Sequence, residues 1–284
     1  MTVRDYLLLS WLAYLDLPEY YRNILSRGGT VPVPAFADAV LRMDAAGALT
    51  CVRLYDAARD AAREARNLDA ELTGYVNDNE NSGFAAYVIR AGDETVVAMR
   101  GSESRSSCAG SSVDWVDNVC EPFVGSVQLN AIREIIAPFS QGKVAFTGHS
   151  KGAHNALAAL SVSKNPQARA IAFNGQGFGA DALTGAQKEI LRRRAVNYVV
   201  ASDVIGALLE HPEKRVYVRQ VPGTNAHYPE AFSFDDKGNP IPAKRAVRSR
   251  VAEAVTRLTE RLLPENLKGG ISNVCRALLP GGGS

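Results

Sequence analysis

The sequence predicts an α/β protein with a mostly parallel central sheet flanked by helices. From residue 84 onward, short β-branched or apolar runs alternate with helical segments, a pattern typical of a helix-covered parallel sheet. The 284 residues include 46% hydrophobic ones, and no Pro/Gly/Ser linker is long enough to separate two domains. We therefore expect one domain over residues 1–280, with a helical N-terminal cap segment at 1–83 and the core at 84–280. Residues 281–284 resemble an artificial linker.

The individual elements follow from local patterns. Strands are expected at residues 85–90, 95–100, 143–147, 168–174, 196–201 and 215–220. Helices are expected at 127–137, 151–162, 186–193 and 243–263, and a hairpin at 232–241. In the cap segment, Thr2 and Asp5 suit a capping box for a helix at 6–15, residues 49–67 have helical spacing, and 28–34 read as a loop.

Composition excludes several classes of protein. Thirty-two Lys and Arg against 30 Asp and Glu leave a formal net charge of +2, too small an excess to predict nucleic acid as the main partner. The longest apolar run, residues 6–17, is interrupted by Ser10 and Asp16 and is shorter than the roughly 20 residues of a membrane span. It also lacks the cleavage site of a signal peptide. The sequence therefore predicts a cytoplasmic protein without an integral membrane segment.

The strongest motif is G-x-S-x-G at residues 148–152. It stands between the apolar run 144–146 and an Ala/Leu-rich helical stretch that begins near Lys151. In an α/β-hydrolase fold the nucleophilic serine occupies such a strand-to-helix turn, and glycines such as Gly148 and Gly152 let the turn close without a Cβ clash. An incidental serine in a glycine-rich turn is the alternative. The motif predicts an α/β-hydrolase fold with Ser150 as the nucleophile.

A serine nucleophile requires a histidine base, and the sequence contains only four histidines. We expect His149 to pack against the neighbouring loop, His154 to hydrogen-bond within the scaffold, and His211 to be solvated. His227 follows the last parallel strand, where this fold presents its base, since the order along the chain is serine, acid, histidine. His227 is therefore the predicted base.

The acid is expected just past a strand, between the nucleophile and the base. Asp203 follows the strand predicted at 196–201 and meets this condition. Asp181 is the alternative, although it follows a Gly-rich loop typical of a turn. Glu210 and Glu213 are expected to be surface charges.

Two backbone N–H groups are predicted to form an oxyanion hole. One belongs to Lys151, at the start of the helix that follows the serine. The other belongs to Ser102, in the loop after the strand predicted at 95–100. A plain surface turn is the alternative at Ser102.

Several motifs share one order along the chain: Arg100-Gly101-Ser102, Asp114-Trp115, the G-H-S-K-G motif, the loop at 174–178, Ser202-Asp203-Val204 and His227. In this order they resemble class 3, fungal-type lipases. The resemblance is closer to a bacterial lipase-like family that carries G-H-S-K-G and an S-x-V-x-G-x-L-L segment like residues 202–209, and it covers about residues 84–235. It implies that Ser150, Asp203 and His227 form a triad, with Ser102 and Lys151 as oxyanion donors.

The chain departs from these families in places. Residues 121–125 stand where the lipases carry H-x-G-F, Ala153-His154 replaces a Gly-Asn pair, and Asn174 replaces an aspartate. Residues 103–113, the lid region of a lipase, are mostly small or polar, so interfacial activation is not expected.

The sequence thus predicts a cofactor-independent serine hydrolase acting on a small-molecule ester or acyl substrate. An acyltransferase, thioesterase or amidase on the same triad, or a non-catalytic binding protein, are the alternatives. No metal is predicted, because the four cysteines (Cys51, Cys108, Cys120, Cys275) lack C-x-x-C spacing and no H-E-x-x-H is present. Free thiols are expected, with a Cys108–Cys120 bridge as the alternative. The basic residues at 192–194 and Lys244, Arg245, Arg248 and Arg250 are expected to form a solvated helix face, with a surface for acidic partners or a peripheral lipid contact as the alternative. The oligomeric state is not indicated.

Overall fold

The computed structural model describes residues 1–46, 56–78, 82–101 and 128–262. Its centre is one eight-stranded sheet whose strands lie side by side in chain order. The strands are β1 Val31–Pro32, β2 Glu71–Asp78, β3 Phe84–Ala91, β4 Glu94–Met99, β5 Lys143–His149, β6 Arg169–Phe173, β7 Ala195–Val200 and β8 Lys214–Val218. Neighbours from β1 to β4 run antiparallel, and those from β4 to β8 run parallel. The predicted α/β-hydrolase fold is therefore confirmed.

Helices cover both faces of this sheet. They are α1 Val3–Leu12, α2 Glu19–Ser26, α3 Val33–Ala45, α4 Asp56–Ala65, α5 Leu129–Ile136, α6 Lys151–Val162, α7 Gly185–Arg194 and α8 Val247–Leu262. Along β3, Tyr87 and Ile89 enter an apolar layer with α1, α3 and α4, whereas Ala86 and Val88 enter a second layer with α5, α6 and α7. This alternation follows from the two-residue period of a strand. Within the described ranges, no helix has both the length and the apolar character that a bilayer span requires.

The helix α1 begins as predicted. The Thr2 hydroxyl accepts a hydrogen bond from the Asp5 amide, and the Asp5 carboxylate accepts one from the Thr2 amide, which makes a capping box. Six residues of α1 are buried (Tyr6, Leu7, Leu9, Ser10, Trp11 and Leu12), and the helix packs against α4 and β5. The N-terminus is thereby fixed directly behind the strand that precedes Ser150.

The helical cap segment predicted at residues 1–83 also contains two strands that the sequence did not predict. The strand β2 pairs antiparallel with β3, and the predicted loop at 28–34 contains β1 and the start of α3. Gly74, Asn77 and Asp78 are poor strand formers and weaken the local strand pattern of β2, which pairs with β3 along its length. The N-terminal segment therefore extends the sheet as well as covering it.

From residue 84 onward the predicted elements are confirmed, with small shifts at their ends. The largest shift is at α8, which begins at Val247 and not at 243, because Ile241 and Ala243 hydrogen-bond along the edge of β8. The predicted hairpin forms: Phe234 pairs with Pro240, and Gly238 takes the positive φ of 75° that its turn requires. The start of the helix expected at 49–67, residue 127 and all four cysteines lie outside the described residues.

Candidate active site

Ser150 stands at a sharp turn between β5 and α6. Its backbone angles are φ 56° and ψ −122°, a conformation that non-glycine residues adopt rarely. A Cβ at Gly148 would lie 2.2 Å from the carbonyl oxygen of Gly152, and a Cβ at Gly152 would lie 2.2 Å from that of Met99. The two glycines let the strand, the turn and the helix approach this closely, so the predicted strand–turn–helix context of the motif is present.

The three residues predicted as a triad lie in one hydrogen-bonded chain. His227 Nε2 is 3.0 Å from Ser150 Oγ, and His227 Nδ1 is 3.1 Å from Asp203 Oδ1. Because a carboxylate only accepts, Nδ1 carries the proton, and Nε2 is left to accept the proton of the serine hydroxyl. This arrangement can remove a proton from Ser150 when a carbonyl is attacked.

Asp203 is held at the carboxyl end of β7 by the short helical turn at Ile205–Ala207. Its Oδ2 accepts from the Gly206 amide at 2.7 Å, and its Oδ1 accepts from the Ile205 amide at 3.3 Å. These bonds leave the carboxylate one orientation, toward His227. Asp181, the alternative acid, is exposed in a turn, so the structure brings Asp203 and not Asp181 to the base.

The backbone carbonyl of His227 is held by two side chains. His149 Nε2 lies 2.6 Å from this oxygen, and Asn174 Nδ2 donates to it at 3.1 Å. Asn174 also donates to Ala226 O and accepts from the Val200 amide at 2.9 Å, so it joins the end of β7 to the loop of the base. From the sequence, Asn174 is only a departure from the related families, and its hydrogen bonds to the loop of the base were not predicted.

His149 is buried against the rings of Trp11, Tyr14 and His227. Burial, together with the nearby His227 ring, lowers the pKa of His149 well below its ordinary value, so the imidazole is neutral. Since a carbonyl only accepts, Nε2 carries the proton, and Nδ1 accepts from the Tyr14 hydroxyl at 3.3 Å. The expected packing of His149 against a loop is confirmed, and the loop is that of His227.

The remaining histidines differ in outcome. His154 is buried in α6, with Nδ1 3.1 Å from Gly177 O, as expected. The prediction of a solvated His211 and a surface Glu213 is wrong: both side chains are fully buried, with His211 Nδ1 2.7 Å from Glu213 Oε1. Glu210 is half-buried and pairs with Lys188 at 3.1 Å. Both ring nitrogens of His211 have partners, because Nε2 also lies 2.9 Å from Leu208 O, whereas Glu213 Oε2 is buried without a hydrogen-bond partner among the described residues.

The predicted oxyanion donors are only partly described. Lys151 is the first residue of α6, and its backbone N–H stands at the positive end of that helix. Ser102 lies outside the described residues. Gly101, which precedes it, passes so close to the turn that a Cβ there would lie 2.6 Å from His149 O and 1.8 Å from Tyr14 Oη. The chain leading to Ser102 therefore approaches the same turn.

Arg100 fixes the end of β4 at this place. It is 3% exposed, and its guanidinium donates to Ala13 O at 2.6 Å and to the Asp16 carboxylate at 2.8 Å. The strand end that carries the predicted oxyanion loop is thus tied to the segment following α1. The lid region 103–113, the Asp114-Trp115 pair and residues 121–125 lie outside the described residues.

A family model described as Mbeg1-like matches residues 61–262, which is more than half of the chain. The chain belongs to the Mbeg1-like family. This is itself a lipase-like family. No curated protein sequence matches the chain.

Solved structures similar to this Mbeg1-like chain include fungal lipases. A mutant form of MDLA from Penicillium cyclopium has 14% identity and a TM-score of 0.49, with 88% of this chain and 93% of that chain covered. A mono- and diacylglycerol lipase from Aspergillus oryzae has 14% identity and a TM-score of 0.45, with 89% and 97% covered. The Lip2 lipase from Yarrowia lipolytica has 11% identity and a TM-score of 0.43, with 88% of each chain covered.

Proposed function

We propose that the protein is a serine hydrolase that cleaves carboxylic esters through Ser150, His227 and Asp203. The observation that carries this proposal is the unbroken chain of hydrogen bonds from Asp203 through His227 to Ser150, at 3.1 and 3.0 Å. A serine hydroxyl is a weak nucleophile at neutral pH, and an imidazole held in one tautomer by a carboxylate is the group that activates it.

In the proposed reaction, Ser150 Oγ attacks the ester carbonyl while His227 Nε2 takes the hydroxyl proton. The developing oxyanion is stabilised by the backbone N–H groups of Lys151 and Ser102. His227 then returns the proton to the leaving alcohol, which departs and leaves an acyl group on Ser150. A water molecule, deprotonated by His227 in turn, releases the acid and restores the serine.

The proposed substrate is a small molecule with an acyl group of modest size. An open pocket of about 430 Å³ adjoins His227 and Asp203, with Ser202, Val204, Thr224 and Asn225 among its lining residues. Because Ser150 and Lys151 do not line this pocket, its volume sets no limit on the acyl group. The cytoplasmic location and the closeness to a bacterial family stay predictions of the sequence. Transfer of the acyl group to an alcohol or amine, or cleavage of a thioester or amide, uses the same three residues, and product analysis with a competing acceptor distinguishes these reactions.

The decisive experiment is labelling with a fluorophosphonate probe, together with hydrolysis of p-nitrophenyl esters of increasing chain length. We expect the wild type to be labelled and Ser150→Ala to lose labelling, with kcat lower by a factor on the order of 10⁶. Ser26→Ala, an exposed serine at the end of α2, is the matched control and should behave like the wild type. An unlabelled and inactive wild-type protein would favour the alternative of a non-catalytic binding protein. A Ser150→Ala variant with full activity would show that Ser150 is not the nucleophile.

A further inference from the structure

Helix α8 carries an apolar stripe that faces solvent. Its members are Val247, Val251, Val255, Leu258 and Leu262, which are 67%, 54%, 56%, 57% and 69% exposed. Spacings of three and four residues place them along one side of the helix, and we call them the α8 stripe. A helix on the surface of a soluble domain normally turns such a stripe toward the core.

The opposite side of α8 is attached to the protein by polar contacts. Glu253 forms ion pairs with Arg215 at 3.1 Å and with Arg245 at 2.5 Å. Ser249 is fully buried and accepts from Arg245 Nε at 3.0 Å, and the Thr256 hydroxyl accepts from the Leu209 amide at 3.3 Å. The helix is therefore fixed in an orientation that turns Ser249, Glu253 and Thr256 toward the protein and leaves its apolar side chains exposed.

The exposed charges described on and next to α8 have one sign. Arg248 and Arg250 are exposed at its first turn, and Lys244 is exposed just before the helix. Glu253 is turned inward and paired, and among the described side chains of α8 no carboxylate is exposed. An apolar strip bordered by cations matches the boundary between the headgroups and acyl chains of a bilayer that contains anionic lipids. A second copy of this face would oppose cation with cation.

We propose that the α8 stripe docks the protein on an anionic lipid surface. Arg248, next to the first residue of the stripe, lines the same pocket as His227, and Val204 and Ile205 at this pocket are themselves 40% and 37% exposed. Docking therefore brings the opening of this pocket, which lies beside the candidate active site, near the lipid surface. Lipid binding does not require the proposed hydrolase activity. Only the delivery of an acyl lipid to Ser150 rests on the proposed function.

The other basic run singled out in the sequence does not offer a comparable surface. Arg192 and Arg193 both pair with Glu189, and Arg194 donates to the carbonyls of Asn165 and Ala168. Two of the three guanidinium groups are thus paired with a carboxylate of α7, and the third is hydrogen-bonded to backbone carbonyls. The lipid proposal therefore concerns α8 alone.

Flotation with phosphatidylcholine vesicles, with and without 30 mol% phosphatidylglycerol, tests the proposal at low and high salt. We expect the wild type to float with the anionic vesicles, to stay unbound with neutral ones, and to bind more weakly at high salt, because exposed charges are screened. The double variant Val251→Ser, Val255→Ser should lower binding at least about tenfold, since it removes apolar contact area. Arg250→Glu should lower binding at least about fivefold.

Matched controls separate this surface from general stickiness. Tyr20→Ser and Arg27→Glu change an exposed apolar and an exposed basic residue at α2 and should bind like the wild type. Ser150→Ala should keep full vesicle binding, and the double valine variant should keep hydrolysis of a soluble short-chain ester, so failure of docking and failure of catalysis are distinguishable. Circular dichroism and the melting temperature check that each variant is folded.

Three results would overturn the proposal. The first is equal flotation of the wild type and the double valine variant, and the second is no flotation of the wild type at low salt. The third is a wild-type dimer in light scattering that becomes a monomer in the double valine variant, because the stripe would then be covered by a second copy of the chain.

Discussion

His149 Nε2 lies 2.6 Å from the backbone carbonyl oxygen of His227, so the residue before the proposed nucleophile supports the loop that carries the proposed base. The positions of the proposed nucleophile and of the proposed base therefore both depend on the turn at residues 149–150. The distance between Ser150 Oγ and His227 Nε2 depends on this contact as well as on Asp203, because the position of the imidazole is set by the backbone that carries it.

Replacement of His149 by Phe should lower kcat on a soluble ester about 10- to 100-fold with little change in KM. The ring volume and its contact with Trp11 are kept, but the donor to His227 O is lost, and a misplacement of about 1 Å in a catalytic group costs on the order of 100-fold. His149→Gln retains a donor and should recover part of the loss. Steady-state kinetics on both variants, with melting temperatures, check this, and a fully active Phe variant would show that the contact is dispensable.

The isosteric change Asn174→Asp should both destabilise the protein and lower its activity. A carboxylate cannot donate to Ala226 O and His227 O, and it would face these two carbonyls with a negative charge. We expect the free energy of unfolding to fall by about 1–3 kcal/mol at pH 7, with a smaller loss at pH 4, where the introduced carboxyl can take up a proton. Urea unfolding at both pH values measures this, and a pH-independent difference would contradict it.

Gly152→Ala should prevent the native turn from closing. The added Cβ would lie 2.2 Å from Met99 O and 2.8 Å from Arg100 C, which are backbone atoms that cannot move aside independently. We expect a loss of about 3 kcal/mol or more, or no soluble protein. Gly185→Ala, at the start of α7 with nothing within 4 Å of the new Cβ, is the control and should be neutral or stabilising in a thermal melt.

The buried pair of His211 and Glu213 should make stability depend on acid pH. Burial alone would raise the pKa of Glu213, but the charge and hydrogen bond of His211 outweigh burial and lower it below its ordinary value. A lowered pKa means that the stabilisation is present above the ordinary Glu pKa of about 4.3 and is lost as the pH falls through the folded-state pKa.

Glu213→Gln should therefore be less stable than the wild type at pH 7, by about 1–3 kcal/mol, and the difference should shrink as the pH falls below about 4. Urea denaturation at pH 7, 5, 4 and 3 follows it. Glu71→Gln provides the comparison, because its ion pair with Arg90 is exposed and should contribute little at any of these pH values. A constant difference between the wild type and Glu213→Gln across the series would refute the assignment.

The parts of the fold that local pattern determines were predictable, and those that depend on distant pairing were not. Ser150 can be proposed as the nucleophile from the sequence because its motif lies between a strand and a helix. His227 can be proposed as the base because only four histidines have to be compared with the chain order of the fold. The strand β2 was missed because poor strand formers weaken its local pattern, and the burial of His211 was missed because Glu213 satisfies it only in the folded chain. The role of His149 depends on a partner 78 residues away, which no local pattern encodes.

Tyr14, in the segment that ends α1, hydrogen-bonds with His149, which in turn holds the loop of His227. During synthesis these three residues leave the ribosome in that order, at widely separated times. Tyr14 is made early, but its contact with His149 can form only after the chain has grown past residue 149, and the contact of His149 with His227 O only after residue 227. A nascent chain therefore carries Ser150, the proposed nucleophile, long before it carries His227, its proposed base.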